Sequence, residues 1–230
     1  MWKTNTMPYR TDPINTTGYY HVYNRGVNKL ATFIDERDCH QALLSMNYYR
    51  FEKPPCKLSR FKTLPVTEQT RLLSLSSNSN QTLVDILSFV FMPNHFHFLL
   101  KQNIENGISN FIRRFSNSYA RYFNISHSWV GHLFQGQFRA KEIESEAQLI
   151  HVSRYIHLNP YVSGLVTKND LEHYQWSSYS DYLSKRTDRV NGTKILNIFK
   201  SPEKYKEFVL NNADYARELK FIKHLTIDDE

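Results

Sequence analysis

His95 and His97 stand on either side of Phe96 in the segment MPNHFHFLL. On a β-strand, side chains alternate between faces, so both imidazoles would leave from one side while Phe96 and Phe98 leave from the other. Two neighbouring nitrogen donors are a start on a cation site. The plainer alternative is a pair of sheet-face histidines bonded to their neighbours. A second group lies in LIHVSRYIHLNP, where His151, Tyr155 and Asn159 recur every four residues and would share one stripe of a helix. Asn159 could add an amide oxygen to the two imidazoles, giving a half-open N,N,O site suited to Mg²⁺ or Mn²⁺ with substrate oxygens completing the shell. Tyr155 is a poor nucleophile at the ordinary phenol pKa of about 10. A nearby cation would activate it; without one, it reads as half-buried packing.

The 230 residues include 29 Lys and Arg against 22 Asp and Glu, a formal charge of +7 and a pI near 9.3, which favours a polyanionic partner. Between Asn94 and Lys141, six basic residues (Lys101, Arg113, Arg114, Arg121, Arg139 and Lys141) face one acidic residue, Glu105. Most of the surplus charge therefore follows the histidines along the chain. A solvated helix face accounts for this on charge alone. Phosphate contact becomes the better reading if the cation site is real, because a phosphodiester beside a cation needs its flanking phosphates neutralised as well.

Several classes are excluded. With 40% apolar residues, 15 Phe and 15 Tyr, the chain can bury a core and is not disordered throughout. Its length allows one elaborated domain, or one with a short appendage. Cys39 and Cys56 fit neither metal nor disulfide spacing, and two idle thiols fit a reducing cytoplasm. The start MWKTNTMPYR lacks an apolar signal core, and no run approaches the roughly 18 apolar residues of a membrane span, so a soluble chain is expected.

The elements that must position these residues are legible in outline. GYYHVY, Gly18 to Tyr23, predicts a first strand ending at the turn Asn24-Arg25-Gly26. Asp35 predicts the cap of a helix running to about Phe51, with Cys39, Leu43, Met46 and Tyr49 on one side. Residues 53–82, with three prolines and the tract SLSSNSNQT, read as an inserted loop holding one short helix around Thr67 to Leu73. Leu83 to Phe91 predicts a central strand that returns as His95 to Leu100. An amphipathic helix follows, with Ile108, Phe111, Ile112, Phe115, Tyr119 and Tyr122 as its stripe. Gln137 to Ile143 predicts another strand, and Ser145 with Gln148 a capping box for a helix stopping near Pro160. This order suggests an α+β, ferredoxin-like antiparallel sheet covered by helices. Ser201-Pro202-Glu203 starts a further helix with Tyr205, Phe208 and Val209 on one side. The expected division is a catalytic domain over 1–183 and a C-terminal helical extension over 184–230.

The segments MPNHFHFLL, GISNFIRRFSNSYARYFN, GHLFQGQFRA, SRYIHLNP and YQWSSY, in this order, resemble the single-tyrosine transposases of the HUH nuclease superfamily, with the REP-associated tyrosine transposases closest. The resemblance runs from about Gly18 to Leu183. It implies that His95 and His97 are the paired metal-binding histidines, Tyr155 the nucleophile and Asn159 the polar third ligand. It further implies the ferredoxin-like sheet, single-stranded DNA carrying a hairpin as substrate, and cleavage through a 5′-phosphotyrosine link without an external energy source. Arg113, Arg114, Arg121, Arg139, Lys141 and Arg154 are then the expected phosphate contacts. A bacterial cytoplasm, at the nucleoid, is the expected setting, with monomer and homodimer both open. Two departures stand out: the insertion is longer than usual, and Tyr161-Val162-Ser163-Gly164 replaces the commoner basic sequence after the Asn-Pro pair. The rival reading is a catalytically inactive, domesticated DNA-binding protein that recognises structured repeats. A zinc hydrolase would need a further His, Asp or Glu ligand in place of Asn159.

Overall fold

The computed structural model describes residues 14–79, 81–211, 213, 214 and 216. β1 (Tyr19–Arg25) leads to α1 (Glu36–Tyr49), capped by the Asp35 carboxylate, which accepts from the Asp38 N–H at 2.9 Å. Two helices, α2 (Leu58–Phe61) and α3 (Val66–Ser79), precede β2 (Val84–Met92), which turns through Pro93-Asn94 into β3 (His95–Gln102). Next come α4 (Gly107–Ser126), β4 (Arg139–Ile143) and α5 (Glu146–Val162), followed by α6 (Tyr179–Ser184), α7 (Thr193–Phe199) and α8 (Pro202–Leu210). The strands lie in the order β2-β3-β1-β4, every pair antiparallel, so the fold is the α+β, ferredoxin-like sheet that the order of elements suggests.

The two faces of this sheet differ in chemistry. Residues directly opposite in an antiparallel ladder share a face, and the pairs Val22↔Phe98, Phe89↔Phe98 and Phe91↔Phe96 build an aromatic one. The buried stripe of α4 covers it, with Phe115 5.3 Å from Phe96 and Phe111 5.7 Å from Phe98 between ring centroids. Burying such a ring stabilises by about 1.5–3 kcal/mol, so this face fixes the register of β3 and turns His95 and His97 to the opposite side. There α5 packs across β2 and β3. The outer edge of β2 is closed by residues 176–178: Phe91 N–H donates to the Trp176 carbonyl at 2.9 Å, and Ser178 N–H to that of Phe89 at 3.0 Å.

Four expectations need correction. β2, expected as a central strand, stands at the edge of the sheet, and its apolar run is buried because helices cover both faces and residues 176–178 close its outer side. Residues 53–82 hold two helices, and α3 spans 14 residues rather than one short turn, because Leu72 and Leu73 pack with Tyr48, Leu58 and Phe61 into a small separate core. α5 runs through Pro160 to Val162. In a last turn, the missing Pro160 N–H forfeits only one bond, to the Ile156 carbonyl. β4 starts at Arg139, two residues late. The expected C-terminal helix is present as α8, capped by Ser201 and opened by Pro202, with Tyr205 and Val209 buried in the main core. The extension's last residues lie outside the described ones.

α5 is pinned by buried hydrogen bonds. Ser153 Oγ lies 3.1 Å from Ser88 Oγ on β2 and 2.6 Å from the Tyr205 hydroxyl on α8. His157, one turn on, reaches the same hydroxyl with Nδ1 and Ser178 Oγ with Nε2, both at 2.7 Å. Burial pushes the His157 pKa down to about 3, so below pH 6.5 the unfolded chain takes up a proton that the folded one refuses, and stability falls with pH between about 6.5 and 3. The expected result in urea titrations across this window is a shallower fall for His157→Gln than for wild type, by up to about 1.4 kcal/mol per pH unit. Equal slopes would contradict the assignment.

Candidate active site

Pairing of β1 with β3 sets Arg25 opposite His95 and Tyr23 opposite His97, so His21, Tyr23, Arg25, His95 and His97 share the face away from the phenylalanines. The His97 ring is 5.0 Å from that of His95, 5.1 Å from His21 and 5.6 Å from Tyr23. All four are buried. His95 Nδ1 lies 2.6 Å from Asn94 Oδ1, and the Asn94 amide nitrogen is committed as a donor to the Lys29 carbonyl. Asn94 Oδ1 can only accept, so Nδ1 carries the His95 proton. His97 Nδ1 lies 2.9 Å from His21 Nε2. In both rings the protein holds Nδ1, so Nε2 is the nitrogen a cation would take, which is how ligating imidazoles are commonly oriented. Burial, and then the charge of Lys141, pushes the His21 pKa down to about 3. The His97 pKa is held well below its ordinary value, first by burial and then by His95, His21 and Arg25. His21 and His97 are thus neutral at pH 7, the form whose lone pair binds a metal.

α5 brings the phenol. Ser153 and His157 face β2 and α8, and two residues on an α-helix differ by about 200°, so Tyr155 is turned toward β1 and β3. Its ring stands edge-on to His97 at 5.4 Å and to His21 at 5.7 Å. The stripe descends into the molecule: His151 is exposed, Tyr155 half-buried and Asn159 buried. Ser153 bonds Ser88, and His157 reaches Phe89 N–H through Ser178, so α5 advances along β2 in the strand's own direction. Asn159 follows Tyr155 by one turn on α5 and is buried. What the sheet face brings together is two buried imidazoles, with the Tyr155 ring beside them. Among the described residues no three His, Cys, Asp or Glu side chains form a metal-holding group.

The basic residues that lie together in sequence are divided by the sheet. Arg139 and Lys141 pair with Tyr23 and His21, so they flank the histidines on the same face, both exposed. Arg113, Arg114 and Arg121 ride on α4, over the opposite face. Arg113 lines a cleft of about 270 Å³ between α4 and residues 131–138, together with Asn24, Asn117 and Gln137. Arg114 donates to the carbonyls of Phe51 and Glu52 at 3.3 and 2.8 Å, tying the end of α1 to α4, and Arg121 is exposed. Arg154 stacks on Phe208 at 4.5 Å and donates to His151 Nδ1 at 2.8 Å. His21, Tyr23 and Arg25 escaped the sequence reading. Their period of two was visible in GYYHVYNR, but only the register with β3 reveals that they face the histidines.

A family model described as "Transposase IS200 like" matches residues 59–159. Among solved structures, that of a REP-associated tyrosine transposase bound to a REP hairpin is similar at a TM-score of 0.51 and 15% identity, over 80% of this chain and 91% of that one. At that identity it supports the fold. The tRNA(His) guanylyltransferase of Saccharomyces cerevisiae aligns over 96% of this chain and 84% of its own at 13% identity, but its TM-score of 0.37 is too low to argue from. No curated protein matches the chain significantly. None of the described helices is long and apolar enough to cross a membrane.

Proposed function

We propose that this chain, whose residues 59–159 match the IS200-like transposase model, is a transposase of that kind and breaks and rejoins single-stranded, hairpin-bearing DNA with Tyr155 as nucleophile. The observation that carries this reading is the Tyr155 ring edge-on to His97, on the face of the sheet that also presents His95. His95, His97 and Asn159 would hold a divalent cation, Mg²⁺ or Mn²⁺, whose Lewis acidity withdraws charge from a non-bridging oxygen of the scissile phosphate. Tyr155 Oη, losing its proton, forms a bond to phosphorus as the bond from phosphorus to the 3′ oxygen breaks, and that oxygen takes up a proton. The products are a 5′-phosphotyrosine and a free 3′-hydroxyl. One phosphoester replaces another, so a second 3′-hydroxyl can reverse the step and join strands.

Arg25, Arg139 and Lys141 surround the histidines on the same face and would neutralise the phosphates on either side of the reacting one. The pins from Ser153 and His157 to β2 and α8 fix the rotation of α5, so the phenol needs no large reorganisation to reach the phosphate. The hairpin in the substrate is carried over from the REP-bound relative.

The experiment is incubation of the full chain with Mn²⁺ and hairpin-bearing single strands labelled at either end. The 3′ label should run with the protein on a denaturing gel, and the 5′ label on a shortened strand ending in a 3′-hydroxyl. Tight hairpin binding without either product would leave a DNA-binding protein and overturn the enzymatic reading.

A further inference from the structure

His21 has no part in the proposed donor set, yet it is the group that touches His97 Nδ1, at 2.9 Å. It is 3% exposed, sits mid-strand on β1 and meets His97 edge to edge, the two rings inclined by only 24° with centroids 5.1 Å apart, as an in-plane N–H···N bond requires. A hydrogen bond between two neutral imidazoles has two forms. If His21 donates from Nε2, His97 must accept at Nδ1 and carries its own proton on Nε2, where it blocks a cation. If His97 donates from Nδ1, its Nε2 lone pair is exposed to the site and His21 holds its proton on Nδ1. The other histidine of the pair has this choice made by Asn94, whose oxygen can only accept.

We propose, resting on the cation-site reading above, that His21 is a positioning residue that accepts the His97 Nδ1 proton and so holds His97 in the tautomer whose Nε2 can bind a divalent cation. The other contacts of His21 suit this role. Its ring lies against Tyr23 at 5.1 Å and Tyr155 at 5.7 Å, which prevents it from turning away from His97 and links the orientation of the ligand to that of the nucleophile. Partners that fix the second nitrogen of a ligating histidine commonly govern metal affinity by about 10- to 100-fold.

Two variants separate this from a packing role. His21→Phe keeps an aromatic ring between Tyr23, His97 and Tyr155 but cannot accept a proton, whereas His21→Gln offers a carbonyl oxygen that can. Long-range ¹⁵N–¹H correlation spectra of the metal-free protein read the tautomer, and Mn²⁺ titration by calorimetry reads the affinity. The expected results are a His97 ring protonated on Nδ1 in wild type and in His21→Gln, a shift toward Nε2 protonation in His21→Phe, and Mn²⁺ binding about 10- to 100-fold weaker in His21→Phe only. A wild-type His97 protonated on Nε2, or unchanged Mn²⁺ affinity in His21→Phe, would overturn the proposal. So would loss of Mn²⁺ from both variants as complete as in His97→Ala, since His21 would then be a ligand. If wild type bound no Mn²⁺, the cation-site reading would fall, while the tautomers would still decide whether His21 governs His97. Should His21→Phe fail to fold, the wild-type and His21→Gln spectra decide it.

Discussion

Tyr155→Phe should abolish the protein-linked DNA product, lowering strand cleavage by at least about three orders of magnitude, as removal of a covalent nucleophile commonly does. The substitution deletes one oxygen and keeps the ring that stands edge-on to His97 and His21. Stability should therefore change by less than about 1 kcal/mol, and hairpin affinity, which the proposed function assigns to Arg25, Arg139 and Lys141, should stay near wild type. Cleavage on a denaturing gel, with a gel-shift titration alongside, separates these effects. A persistent protein-linked band would remove Tyr155 from the nucleophile's role.

Changing His95 and His97 together to Ala should remove cleavage just as completely, and for another reason. The phenol remains, but the two nitrogen donors on the sheet face are gone, and with them the means to hold a cation against the phosphate. Fluorescence-anisotropy titrations should show that much of the DNA affinity survives and still falls steeply with salt, because the proposed phosphate contacts come from separate side chains. The protein itself should be destabilised by about 1–3 kcal/mol, since His21 loses the partner of its buried hydrogen bond. Full cleavage by the double variant in the presence of a chelator would contradict the metal role.

The elements that carry the site were legible because their signals are local. Alternation in HFHF, the Asp35 and Ser145 caps and the apolar stripe of α4 depend on residues a few positions apart, and each is found in place, except that Phe123 rather than Tyr122 closes the buried stripe. What eluded the sequence depends on tertiary partners. α3 is longer than its Ser-rich sequence suggests because Tyr48 on α1 and Phe61 on α2 offer Leu72 and Leu73 somewhere to pack. The basic residues looked like one patch, yet α4 carries three of them over the phenylalanine face while β4 presents two beside the histidines. His21 falls within the predicted first strand, GYYHVY, with no local signal to set it apart. Its contact with His97 rests on a register spanning 76 residues of chain, which no local window can reveal.

At the centre of this account is a covalent bond between one tyrosine and DNA. Mass spectrometry of the trapped product after protease and nuclease digestion tests that bond at residue level. The peptide between Arg154 and Lys168 contains both Tyr155 and Tyr161, and fragmentation distinguishes them. A 5′-phosphonucleotide on Tyr155 is the expected result. The same adduct on Tyr161 or on any other residue, or cleaved DNA with no adduct, would contradict it.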